Sequence, residues 1–205
     1  LIYMSCDNLY FYKNITSYEI YPAIRKKNYE IIKFIILKGR EINATDFNLV
    51  VLSKDEYLIN FYLDNLSTLN PDFCKNSVKT GNLKIIKELK IKNCPWDVHT
   101  NNIVAEKGYF NILKWAYANG CPINDDTIAL AAKHGRIEIV KWLYQNNCNH
   151  NIKMANYAAY NGYLHIIKWC VENDIEIGKN IIKIATDRNF KEIIIWLKKN
   201  NIRLV

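Results

Sequence analysis

Apolar residues along this chain recur with a long, fixed period. The segments GNLKIIKEL, GYFNILKWA, GRIEIVKWL and GYLHIIKWC begin at Gly81, Gly108, Gly135 and Gly162, each 27 residues after the last. One step further on, NFKEIIIWL begins at Asn189; stepping back, KDEYLINFY begins at Lys54 and KNYEIIKFI at Lys27. Seven repeats then fill 13–39, 40–66, 67–93, 94–120, 121–147, 148–174 and 175–201 without insertion. Residues 1–12 read as the end of a partial repeat and 202–205 as a tail. So strict a period means one structural unit stacked many times, here as a single domain over 13–201.

Within each unit the pattern predicts two short helices. In repeat 121–147, Asn124 is placed to cap a helix from about Asp125 to Lys133, and Asn43, Asn70, Asp97 and Asn151 stand in the same column. Pro71 follows Asn70 at the first helical position, where proline is best tolerated. Gly135 supplies the left-handed turn that ends this helix, as do Gly81, Gly108 and Gly162, with Asn189 as substitute. A second helix is predicted from about Ile137 to Gln145, ending at Asn146-Asn147. Helices this short do not persist alone in water, so packing must hold them. Ile128, Ala131 and Ala132 share one face of the first helix; Ile139, Val140 and Leu143 share one face of the second. Ala105, Ala131, Ala132, Ala158, Ala159 and Ala185 let neighbouring first helices approach closely, while larger side chains widen the other side. The predicted fold class is all-α: a solenoid of stacked antiparallel helix pairs without β-hairpins, concave toward the first helices.

Composition supports a folded domain and narrows the partner. Half of the 205 residues are hydrophobic and 23% are charged, which is ordinary for a folded chain. Nothing approaches the ~20 apolar residues of a membrane span, and the N-terminus lacks the pattern of a signal peptide. The net charge of +8 suggests an acidic partner such as nucleic acid. However, 23 of the 28 basic residues are Lys, and Lys, Ile and Asn together supply 81 residues, all encoded by A/T-rich codons. Genomic bias produces that composition without selection for a basic surface. Lys is also the weaker residue for bidentate recognition of phosphate.

The run Ala131-Ala132-Lys133-His134-Gly135-Arg136-Ile137-Glu138-Ile139-Val140-Lys141-Trp142-Leu143 resembles the core of an ankyrin repeat. That family's usual unit has about 33 residues and carries a β-hairpin between helix pairs. The shortfall here falls between the Asn124 and Ala131 columns, where the family has its hairpin tip. Cys94-Pro95-Trp96-Asp97 and Cys121-Pro122-Ile123-Asn124 resemble the short repeats of large DNA viruses of amoebae, and the A/T bias suits such a source. The resemblance implies a non-enzymatic protein-protein interaction scaffold inside a cell. It would work in the cytoplasm or the nucleus, with a host or viral protein on its concave face. Two other readings stand beside it. One is a nucleic-acid-binding solenoid. The other is the substrate-binding part of a ubiquitin-ligase adaptor, in which a domain upstream of Leu1 does the recruiting; the chain starts without Met.

Candidate chemistry is sparse. Cys94, Cys121 and Cys148 form a column, but equivalent atoms of adjacent repeats lie one helix-packing distance apart, roughly 8–10 Å, too far for a disulfide or shared zinc. All six cysteines are expected to be reduced. Trp115, Trp142, Trp169 and Trp196 form a second column, expected to pack between repeats, each Trp against the next repeat's member of the column that holds Tyr117 and Tyr144. Lys33, Lys87, Lys114, Lys141 and Lys168 lie on the outer face of the second helices. His99, His134, His150 and His165 fall in four different columns without a nucleophile or ligand at motif spacing. No cofactor, metal, membrane or small-molecule substrate is expected. Partner contacts are expected on the variable stripe of the first helices. This stripe comprises His99, Asn102 and Glu106, then Asp126, Ala129 and Lys133, then Lys153, Asn156 and Tyr160, with Trp96 beside it as an aromatic anchor.

Overall fold

The computed structural model describes residues 20–202. The expected partial repeat at 1–12, the start of repeat 13–39, Cys6 and the last three residues of the tail lie outside the described residues. The chain divides into two compact units, Leu1–Pro95 and Trp96–Val205.

In the first unit α1 (Ile20–Arg25) and α2 (Tyr29–Leu37) form one pair, α3 (Ala44–Leu52) and α4 (Glu56–Asp64) the next, and α5 (Pro71–Val78) and α6 (Leu83–Ile91) a third. In the second unit the pairs are α7 (Val98–Lys107) with α8 (Phe110–Ala118), and α9 (Asp125–Lys133) with α10 (Ile137–Gln145). They continue with α11 (Lys153–Tyr160) and α12 (Leu164–Glu172), then α13 (Ile181–Asp187) and α14 (Lys191–Lys199). Every described helix belongs to a repeat, and the described residues contain no β-hairpin. Each unit uses one packing rule: a first helix lies against its own second helix and against the first helix of the neighbouring repeat.

The caps that the sequence predicts are made. Asn43, Asn70, Asp97 and Asn124 each accept a backbone N–H from the first turn of α3, α5, α7 and α9. Asn151 accepts from Lys153 N at 2.8 Å. The cores form as the periodicity requires. Ile128, Ala131 and Ala132 are fully buried, as are Val140 and Leu143, with Ile139 nearly so. Each such Ile or Leu removed from water stabilises the unit by roughly 2 kcal/mol. At the ends of the second helices, Asn119, Asn146, Asn173 and Asn200 donate through Nδ2 to the carbonyls of Trp115, Trp142, Trp169 and Trp196 at 2.7–2.8 Å. Each of these carbonyls also accepts the backbone N–H of the same Asn at 3.1 Å, so the side chain adds a second donor at the helix end.

The two units start their second helices differently. In the first, Asn28, Asp55 and Asn82 cap α2, α4 and α6 through their side chains. In the second, Tyr109, Arg136, Tyr163 and Phe190 occupy that position and make no side-chain cap. Arg136, Tyr163 and Phe190 instead lie over the turn glycine of the preceding repeat. A Cβ on Gly108, Gly135 or Gly162 would meet them at 2.8, 2.8 and 2.6 Å. Those glycines therefore serve close approach as well as the left-handed turn. Gly162→Ala should cost about 2–3 kcal/mol, because it adds a clash with the Phe190 ring to the strain of φ 81°. Gly120 has the same φ with nothing within 4 Å, so Gly120→Ala should cost only about 1 kcal/mol. Urea unfolding of the two variants gives the comparison.

Candidate partner-binding face

The first helices of the second unit expose their two ends and bury their middle. Near the N-terminal ends His99, Asp126 and Lys153 are exposed. The Asp126 carboxylate lies 3.6 Å from Lys153 Nζ across two repeats, an open pair that adds little stability. Near the C-terminal ends Glu106 and Lys133 are half-buried and Tyr160 is 47% exposed. Lys133 Nζ stands 5.7 Å from the centre of the Tyr157 ring, and the Arg188 guanidinium lies 4.2 Å over that of Tyr160.

The middle of the expected stripe is not open. Ala129 is 1% exposed, Asn102 is buried and Asn156 is half-buried. The cause is the alanine columns: they bring adjacent first helices so close that this position faces the next helix. The Thr127 hydroxyl donates to Asn102 Oδ1 at 2.6 Å, and Asn101 Nδ2 donates to the carbonyls of Cys121 and Pro122 at 3.0 Å. Trp96 is likewise half-buried, packed edge-on against Trp115 with ring centres 5.4 Å apart. The stripe missed Tyr157, which is 37% exposed, and the exposed Arg136 and Arg188. The aromatic and basic residues were visible in the sequence. Their exposure depended on which first-helix column faces a neighbour, and periodicity alone leaves that open.

The tryptophans pack between repeats, in the opposite direction to the one expected. Trp142 meets Tyr117 at 5.3 Å and Trp169 meets Tyr144 at 5.3 Å, both edge-on, so each Trp contacts the Tyr of the preceding repeat. The Lys column lies on these second helices. Lys114 stands over Phe110 and Lys168 over Trp196, while Lys141 pairs with Glu138 at 3.5 Å. The four histidines do not converge. His150 lies against Tyr144 and His165 against Tyr163. His134 titrates below the ordinary range, mainly because it is partly buried; the Glu106 carboxylate opposes this, while Lys133, Arg136 and Lys107 push the same way as burial.

The cysteine column has a structural use. The thiols of Cys94, Cys121 and Cys148 lie 3.5, 3.6 and 3.1 Å from the carbonyls of Asn70, Asp97 and Asn124 and donate to them. Within the second unit, Cys121 and Cys148 thereby tie their repeats to the helix cap of the repeat before. No group of three or more metal-ligating side chains occurs among the described residues. Burial pushes the Cys148 thiol up to about 11 and that of Cys170 up to about 12. Both stay protonated at pH 8, so iodoacetamide should leave them unlabelled in the native protein while labelling them fully in denaturant. Mass spectrometry of the alkylated peptides measures this; rapid native labelling at Cys148 would contradict its place in the core.

These helix pairs have a counterpart among known families. Residues 128–204 match the family model of ankyrin repeats, in three copies. The match runs from within α9 past the end of α14. No curated protein matches the chain. Ankyrin repeats generally mediate protein-protein interaction and are typically non-enzymatic. Among the described residues no helix is long and apolar enough to cross a membrane.

Proposed function

We propose that this chain is a non-enzymatic scaffold that binds a protein through the exposed ends of its first helices. His99, Asp126 and Lys153 would make contact at one end, and Glu106, Lys133 and Tyr160 at the other. One observation carries the reading: the packing columns hold nearly constant while the exposed positions change from repeat to repeat. The positions equivalent to Asp126 are His99 and Lys153, and those equivalent to Lys133 are Glu106 and Tyr160. A surface whose charge changes at each step suits one specific partner better than a uniform polyanion. The 27-residue period also passes through Cys94 without insertion, which supports reading 13–201 as one array of seven repeats. The short repeat form and the A/T bias support a viral source and a host or viral partner inside the cell.

Photo-crosslinking separates the faces. A photoreactive residue at Asp126 or Tyr160 should trap a discrete polypeptide from cell lysate, resistant to nuclease, whereas one at Lys141 or Lys168 should not. Crosslinks only from Lys141 and Lys168, or crosslinked material that nuclease removes, would overturn the reading.

A further inference from the structure

Two arginines of the second unit are held in the same way, two repeats apart. Arg136 Nε donates to the carbonyl of Glu106 at 3.4 Å, and Arg188 Nε donates to that of Tyr160 at 3.2 Å. Glu106 and Tyr160 occupy the same column, in the last turn of a first helix. Each guanidinium is therefore anchored through its inner nitrogen at the end of the preceding repeat's first helix. Arg136 is further fixed against Gly108, and Arg188 against the Tyr160 ring. Both side chains are exposed, and neither makes an ion pair among the described residues. Anchoring through Nε leaves the outer two nitrogens as a fixed fork, the geometry that grips a carboxylate. Only 5 of the 28 basic residues of this chain are Arg, and two of them, from columns two residues apart, reach equivalent carbonyls.

We infer that this edge binds an acidic segment of the partner protein, with one carboxylate on Arg136 and a second on Arg188. The proposal rests on the protein-binding reading and adds the partner's chemistry. Two repeats at one helix-packing distance each place the forks roughly 16–20 Å apart. An extended chain covers that in about five or six residues at ~3.4 Å each. Lys133 stands between the two anchoring residues, Glu106 and Tyr160, in their shared column, and Tyr163 supplies a ring for an apolar residue between the two acids. Lys133, Arg136 and Lys107 surround this part of the edge, with Glu106 opposing them, so cations outnumber the one carboxylate here. Lys107 stands 3.8 Å from the Glu106 carboxylate and offsets part of its charge. A nucleic acid strand carries a phosphate at every nucleotide, and its affinity would rest on the whole basic surface, Lys141 and Lys168 included, rather than on two forks.

The test uses the full chain and a fluorescent capped peptide carrying two glutamates about six residues apart, with one leucine and otherwise neutral residues between them. The control peptide has glutamine at both acidic positions, and a thymidine oligonucleotide is the third probe. At about 50 mM salt, anisotropy should show the acidic peptide binding roughly tenfold more tightly than the glutamine peptide. Arg136→Gln and Arg188→Gln should each weaken binding by about threefold or more, and Arg188→Lys nearly as much, since the charge survives but the fork does not. Lys141→Gln and Lys168→Gln should leave it within about twofold. Unchanged thermal melting of Arg188→Gln and Arg188→Lys guards against loss of fold. Equal affinity for both peptides, no binding, or indifference to the Arg188 variants overturns the proposal. Tighter binding of the oligonucleotide, abolished by Lys141→Gln and Lys168→Gln, overturns both this proposal and the protein-binding reading. Loss of peptide binding with crosslinks from Asp126 and Tyr160 intact overturns only the acidic segment.

Discussion

Trp142→Ala should lower the stability of the second unit by about 3 kcal/mol. Its indole fills the space between two aromatic rings of the preceding repeat, Tyr117 at 5.3 Å and Phe110 at 6.0 Å, both edge-on. Truncation removes apolar burial and also two aromatic contacts, each worth roughly 0.5–1.5 kcal/mol beyond area. The side chain is half-buried, which keeps the cost at the low end of the range for large aromatics. Because the lost contacts join repeat 121–147 to repeat 94–120, hydrogen exchange should accelerate first in α8 and α10, and least in α14. Unchanged protection in α8 and α10 would mean that Trp142 does not hold these repeats together, and would reopen a role for the Trp column as a stacking surface.

Arg40→Met should cost the first unit about 3–5 kcal/mol. Asp46 is fully buried, and Arg40 grips it at both oxygens, one of them at 3.1 Å. The same carboxylate accepts the backbone N–H of Asn43 at 3.3 Å and completes the capping box that starts α3. Removing the guanidinium leaves a carboxylate buried with only that backbone donor, and an uncompensated buried charge dominates the loss. Adding Asp46→Asn to Arg40→Met should recover a substantial part, because the amide still accepts from the cap and carries no charge. Denaturant melts of the single and double variants measure the recovery. A double variant less stable than Arg40→Met alone would contradict the charge argument.

Much of the fold was legible because its signals are local and repeated. A helix cap at Asn124, a left-handed turn at Gly135 and an apolar face at Ile139, Val140 and Leu143 each depend on a few neighbouring residues, and their recurrence along the chain reinforces them. The described α9 and α10 have the predicted limits, Asp125–Lys133 and Ile137–Gln145. Relations between repeats were harder to read. Whether column 129 faces solvent or the next helix depends on the rotation of one first helix against another. That rotation put Ala129 and Asn102 inside. The direction of the Trp142–Tyr117 contact depends on the same offset. The role of Cys94, Cys121 and Cys148 was also hidden. A thiol reaching the helix cap of the preceding repeat leaves no periodic mark beyond the column itself, which ligand chemistry would leave equally well.

The candidate site was legible in part for a related reason. His99, Asp126 and Lys153 sit at helix starts, where nothing packs over them, so a face drawn from periodicity placed them correctly in the open. Arg136 and Arg188 drew no notice because they stand at helix boundaries, outside any amphipathic stripe. Their Nε anchors involve backbone carbonyls 30 and 28 residues away.

The most direct measurement is a hydrogen-exchange footprint of the chain alone and in complex with the polypeptide trapped by crosslinking from Asp126. Protection should increase over α7, α9 and α11, strongest at their exposed ends, with α8, α10 and α12 changed little. Protection confined to α8, α10 and α12, where Lys114, Lys141 and Lys168 lie, would contradict the assignment of the binding face.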